Sequence, residues 1–165
     1  MPTTLPVPIE FSLPEGWRPA PPDEVGAPGV AFVVLHPQPD AGFTANITID
    51  GDFWPDEAMP ADVADEAVQR LREIAESVAV TSRGELGSGA EPGLVQRLTL
   101  SAVTGGARRD LVQAQVYLAM LDPGSSHKRA VIRLILTSTA AQEGSVVGDF
   151  QEFLRTVRPD TRAGA

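Results

Sequence analysis

The sequence predicts an α+β fold in which an antiparallel β-sheet is flanked by helices. Several segments alternate apolar and polar residues at the two-residue period of a half-buried strand. Two others, 62–79 and 140–157, repeat apolar residues every three or four positions, as a helix with one buried stripe does. The late β segments are separated by Gly105-Gly106 and Asp122-Pro123-Gly124, which is the turn chemistry of an antiparallel meander.

Taken in order, residues 9–13 (IEFSL) read as a short strand ended by Pro14-Glu15-Gly16. Trp17 leads into RPAPPDEVGAPG, whose prolines withhold ladder donors and predict an extended loop. Residues 30–36 (VAFVVLH) form a nearly continuous apolar strand closed by Pro37. In the next strand Phe43, Ala45, Ile47 and Ile49 share one face, with Thr44, Asn46, Thr48 and Asp50 on the other. The strand is expected to end in a turn at Asp50-Gly51-Asp52.

In the first helix the stripe is Val63, Ala67, Leu71, Ile74 and Val78, with Asp62 as N-cap and Asp65 and Glu66 opposing the helix dipole. Strands are expected at 78–86, 94–103, 110–121 and 129–138. Both faces of 110–121 are only partly polar, so helices should cover much of each. The second helix presents Val146, Val147, Phe150, Phe153, Leu154 and Val157, and Thr139 with Gln142 resembles a capping box. The 165 residues read as one domain with a core over 9–158 and a flexible tail at 159–165.

Composition excludes several functions. The net charge of −9, with Lys128 the sole lysine, opposes contact with nucleic-acid phosphates. The pairs Arg108-Arg109 and Lys128-Arg129 open consecutive strands, so antiparallel pairing sends them to opposite ends of a hairpin. With no cysteine there is no disulfide, thiol catalysis or zinc-thiolate site. The first residues lack the basic and apolar regions of a signal peptide, and no apolar run approaches a membrane span, so a cytoplasmic location is expected.

Each candidate site has a plainer alternative. Seven acidic residues between positions 50 and 66 could attract a hard cation, but no calcium-loop pattern is completed and no helix carries a histidine pair. No metal or cofactor is therefore expected. His36 and His127 lack a nucleophile elbow, the nearest sequence being Leu86-Gly87-Ser88-Gly89-Ala90, and no catalytic residue is assigned. The glycine-rich stretch 84–93 has no lysine and opens no helix, so it reads as a flexible connection between strands rather than a phosphate cradle. Asn46-Ile47-Thr48 matches a glycosylation sequon but lies within a strand, where Asn46 would tie neighbouring backbone instead. Trp17, Phe53 and Trp54 flank proline-rich loops; they either cover the edge of a small core or anchor a partner.

Three segments together, FSLPEGW (11–17), GFTANITI (42–49) and DFQEFLRTVRP (149–159), resemble the actinobacterial LpqN/LpqT proteins of the wider Mog1/PsbP-like group. The resemblance implies an α/β/α sandwich and a binding or assembly role, and its motifs offer no catalytic residue to transfer. This sequence lacks the lipobox cysteine and export signal of LpqN/LpqT, which argues against a cell-envelope role. The expected function is a non-enzymatic protein-binding or adaptor domain, with carriage of a small ligand or lipid as the alternative and an enzyme third. The expected partner surface comprises Trp17, Asp50, Asp52, Phe53, Trp54, Asp56 and Glu57. Oligomeric state, partner and pathway stay open.

Overall fold

A computed structural model describes residues 5, 9–22, 30–54, 59–88, 91–104, 106–122 and 125–159. Its main sheet contains β2 (Arg18–Ala20), β3 (Phe32–Leu35), β4 (Asn46–Trp54), β5 (Ser77–Ser88), β6 (Glu91–Thr104), β7 (Ala107–Asp122) and β8 (Ser125–Thr139). The order is β2-β3-β4-β8-β7-β6-β5, antiparallel throughout. A second, two-stranded sheet pairs β1 (Ile9–Glu10) with β9 (Arg158–Pro159). Helix α1 (Pro60–Ile74) lies on one face of the main sheet and α2 (Glu143–Thr156) on the other. The expected α+β sandwich is the fold observed.

Strands β6–β8 form the predicted antiparallel meander and β5 joins its edge, each strand running beyond its expected limits. Arg108 lies near the start of β7 opposite Val103, whereas Arg129 faces Leu121 at the other end of that strand, which separates the two basic pairs as expected. Glycine-rich 84–93 is not a loose connection: β5 continues to Ser88 and β6 resumes at Glu91. Residues 89–90, and 123–124 of the predicted Asp-Pro-Gly turn, lie outside the described residues.

Several local expectations are overturned by tertiary contacts. Residues 18–20 form the edge strand β2 within the predicted loop, tolerable because Pro19 can withhold its donor at a sheet edge. The first strand stops at Glu10, and Phe11 turns into edge contacts with Phe32 and Phe153. Helix α1 begins at Pro60 with Met59 before it, so Asp62 sits in the first turn and is not the N-cap. Its buried residues are Pro60, Val63, Ala64 and Val68. The helix ends at Ile74, which is 80% exposed, and Val78 belongs to β5.

In α2, Val146, Phe150 and Phe153 are buried as the stripe predicts. Thr139 Oγ1 accepts the Gln142 backbone N–H at 3.2 Å, but α2 begins at Glu143 with Gln142 as N-cap, and the Gln142 side chain donates to the Gln38 carbonyl, so no capping box forms. Pro159, expected in the tail, pairs with Ile9; residues 160–165 lie outside the described residues. No helix among the described residues is long and apolar enough to cross a membrane.

Candidate functional site

Opposed residues in an antiparallel ladder share a face, which assigns every central side chain to one helix or the other. On the α2 face Ile47, Ile49, Val116, Ala130, Ile132, Leu134 and Leu136 pack against Val146, Phe150 and Phe153. On the α1 face the same strands present Asp50, Arg133, Tyr117, Gln115 and Gln96.

β4 does not turn at Asp50-Gly51-Asp52. The strand continues to Trp54 because β8 supplies partners as far as Arg129, and Arg133 sits directly opposite Asp50. Arg133 Nε donates to Asp50 Oδ1 at 2.8 Å, and its Nη2 donates to Asp50 Oδ2 at 3.3 Å and Asp52 Oδ2 at 3.0 Å. The guanidinium thus takes the place a cation would fill between these carboxylates. Burial raises the Asp50 pKa against the lowering pull of Arg133. Asp52 is more open, its side chain 66% exposed. A space of about 110 Å³ beside α1 is lined by Asp52, Val63, Glu66, Ala67, Arg70 and Arg133.

A chain of side-chain hydrogen bonds runs from this region beneath α1. Arg83 donates through Nε and Nη2 to Gln96 Oε1, at 3.0 and 2.7 Å, and through Nη1 to Asp65. Gln96 Nε2 donates to Gln115 Oε1 at 2.6 Å, which also accepts the Tyr117 hydroxyl at 2.7 Å. Gln115 in turn donates to Gln113, and Gln113 to Thr137. Burial pushes the Tyr117 phenol up to about 12, although the Arg133 charge pulls it the other way. These groups satisfy one another, as buried polar atoms require.

Among the described residues, the expected partner surface loses Trp17 and is divided between Asp52 and Phe53. Trp17 is 5% exposed, donates Nε1–H to Asp149 Oδ2 at 3.0 Å and meets His36 edge-on at 5.1 Å, so it closes the core instead of offering an anchor. Asp52 and Phe53 are neighbours in a strand and therefore face opposite sides of the sheet. Trp54 ends β4, and its side chain, like Asp56, Glu57 and the His127 side chain, lies outside the described residues. Asn46 donates to the Thr44 carbonyl at 3.1 Å, the backbone tie expected of it.

Among the described residues, the α2 side also carries Phe53, 48% exposed, accompanied by Phe32, 45% exposed, on the same face of the adjoining strand. Sequence reasoning placed Phe32 inside a nearly continuous apolar strand and did not single it out. Arg133 was missed too, although a lone arginine in the apolar run AVIRLIL, facing an acidic stretch without basic residues, is a legible signal for an internal ion pair.

No protein-family description and no curated protein matches the chain. Solved structures do. LpqN of Mycobacterium tuberculosis, described as involved in cell envelope biogenesis, is 17% identical with a TM-score of 0.65, covering 93% of this chain and 86% of LpqN. Cyanobacterial PsbP from Synechocystis is 12% identical with a TM-score of 0.60, covering 92% and 86%. A Pseudomonas aeruginosa protein of unknown function is 18% identical with a TM-score of 0.57, covering 78% and 81%. The fold is LpqN-like and Mog1/PsbP-like.

Proposed function

We propose that this protein is a non-enzymatic binding module that engages another protein through the β3–β4 surface. The observation that carries the reading is the pair Phe32 and Phe53, each about half exposed on one face. Gln96, Gln115, Tyr117, Arg133 and Asp50 are meanwhile engaged on the opposite face, Gln115 holding Gln96 and Tyr117, and Arg133 holding Asp50. Exposed aromatics on a chain of net charge −9 fit a partner with an apolar segment and a basic margin. The net charge of −9 disfavours nucleic acid as that partner. LpqN is described by a part in biogenesis and not by a reaction, which agrees with a binding role.

Affinity capture with wild-type, Phe53→Ala and Phe32→Ser baits tests the proposal. A partner recovered by the wild type and lost by both variants is expected; a partner retained by both would sink it. The cytoplasmic location belongs to the same proposal and is checked by cell fractionation.

Carriage of a small apolar ligand is the second reading. It is favoured by a groove of about 340 Å³ at the ends of β5–β7, lined in part by Val78, Ala79, Leu100, Leu111 and Val112. Native mass spectrometry should then find a co-purifying molecule, and a bare chain mass would dismiss it.

A further inference from the structure

The two edges of the main sheet are built differently. β2 is three residues long with Pro19 at its centre, two features that discourage strand addition. β5 is twelve residues long and contains neither Pro nor Lys. Among the described residues it pairs with β6 alone. Through residues 77–85 every position except Val78 and Gly84 is exposed. A bulge between Val80 and Ser82 perturbs its first part, and beyond that point the pairing with β6 is regular to Ser88.

An unpaired edge of this length takes another strand by backbone hydrogen bonding, and side-chain complementarity decides which strand. We propose that β5 pairs antiparallel with β5 of a second copy, residues 80–88 lying against one another about a two-fold axis at Gly84.

The register follows from symmetry. Hydrogen-bonded and non-bonded pairs alternate along an antiparallel ladder, so a two-fold axis has to pass through a residue that faces itself. An axis at Arg83 sets arginine against arginine, and an axis at Glu85 sets glutamate against glutamate. An axis at Gly84 sets Arg83 against the partner subunit's Glu85 twice over, with no side chain to crowd the axis. Cross-strand partners stand about 5 Å apart at Cβ, within reach of an ion pair. Glu85 is exposed and makes no ion pair among the described residues, while Arg83 is already oriented by Gln96 and Asp65.

Sedimentation equilibrium over a concentration series tests this. The wild type is expected to show a monomer–dimer equilibrium, and Glu85→Arg to raise the dissociation constant about tenfold or more, because one substitution changes both symmetric pairs. Arg83→Glu alone should be weakened likewise. An equimolar mixture of the two variants should associate again, since every facing pair in the mixed dimer is opposite in sign. Arg83→Glu also gives up its bonds to Gln96, so amide exchange supplies a test free of that variant: alternate amides of residues 80–88 should gain protection as wild-type concentration rises, and not in Glu85→Arg. A wild type that sediments as a monomer throughout, or a Glu85→Arg protein that dimerises as the wild type does, overturns the proposal.

Discussion

The two faces of the main sheet share the same strands and nearly the same backbone, yet they are filled on different principles. Under α2 the interior is apolar, from Ile47 and Leu136 to Phe150 and Phe153, and its stability comes from area removed from water and close packing. Under α1 a smaller apolar cluster of Val63, Ala64, Leu94, Tyr117 and Val131 adjoins a connected set of amides and a phenol, with the Asp50–Arg133 ion pair on the same face. Apolar packing tolerates many arrangements of similar volume. A network in which each donor has one acceptor admits few, so the α1 face does more to define how helix and sheet sit together.

The largest way to break this contrast is on the apolar side. Phe150→Ala should cost about 3–5 kcal/mol, seen as a lower urea midpoint with unchanged slope. On the polar side, Arg133→Met strands a half-buried Asp50 and should cost about 3 kcal/mol, reduced from the fully buried case because both groups keep some water contact. The double variant Asp50→Leu/Arg133→Met should recover most of that loss in the same titration. Recovery would show that the pair specifies geometry more than it stabilises.

Tyr117 sharpens the comparison through pH. Its folded pKa of about 12 lies above the ordinary 10.0, so its contribution is intact below pH 10 and is lost as pH rises from there through the folded value. The full loss is about 2.5 kcal/mol. Stability measured between pH 9 and 12 should fall less steeply in Tyr117→Phe, which at neutral pH costs only about 1 kcal/mol.

The smallest effect belongs to the rim of the α2 face, where Arg97 grips Glu143 through two bonds of 2.6 Å. That hydrogen bonding holds the Glu143 pKa below 4.5. Its contribution is therefore present above pH 4.5 and lost as pH falls through the lower folded value. Both side chains are partly exposed, so Glu143→Gln should flatten the acid limb by under about 1 kcal/mol.

How much of this was legible depended on the range of the forces involved. The hairpins of β6–β8 could be read because alternation and turn chemistry are local, as in Val112 and Val116 against Gln113 and Gln115. The α2 stripe could be read for the same reason. Asp50-Gly51-Asp52 was misread because its local preference is a turn, and Arg133, 83 positions away from Asp50, supplies the neutralising strand partner. Ile74 fits the helical spacing of α1 but falls at the residue where the helix stops. Trp17 looked like a loop anchor because nothing nearby foretells Asp149, the acceptor that lets its indole be buried. The exposure of Phe32 and Phe53 is equally non-local, since it depends on how far α2 reaches across the sheet.

The order β2-β3-β4-β8-β7-β6-β5, together with the β1–β9 sheet, also constrains the chain while it is being made. On the ribosome, β4 can meet β3 early but has no neighbour on its other side until β8 has emerged. β1 waits longer still, for the last described residues, where Ser12 and Thr156 join across 144 positions. Vectorial synthesis therefore leaves the N-terminal third half-assembled until β8 and β9 have emerged.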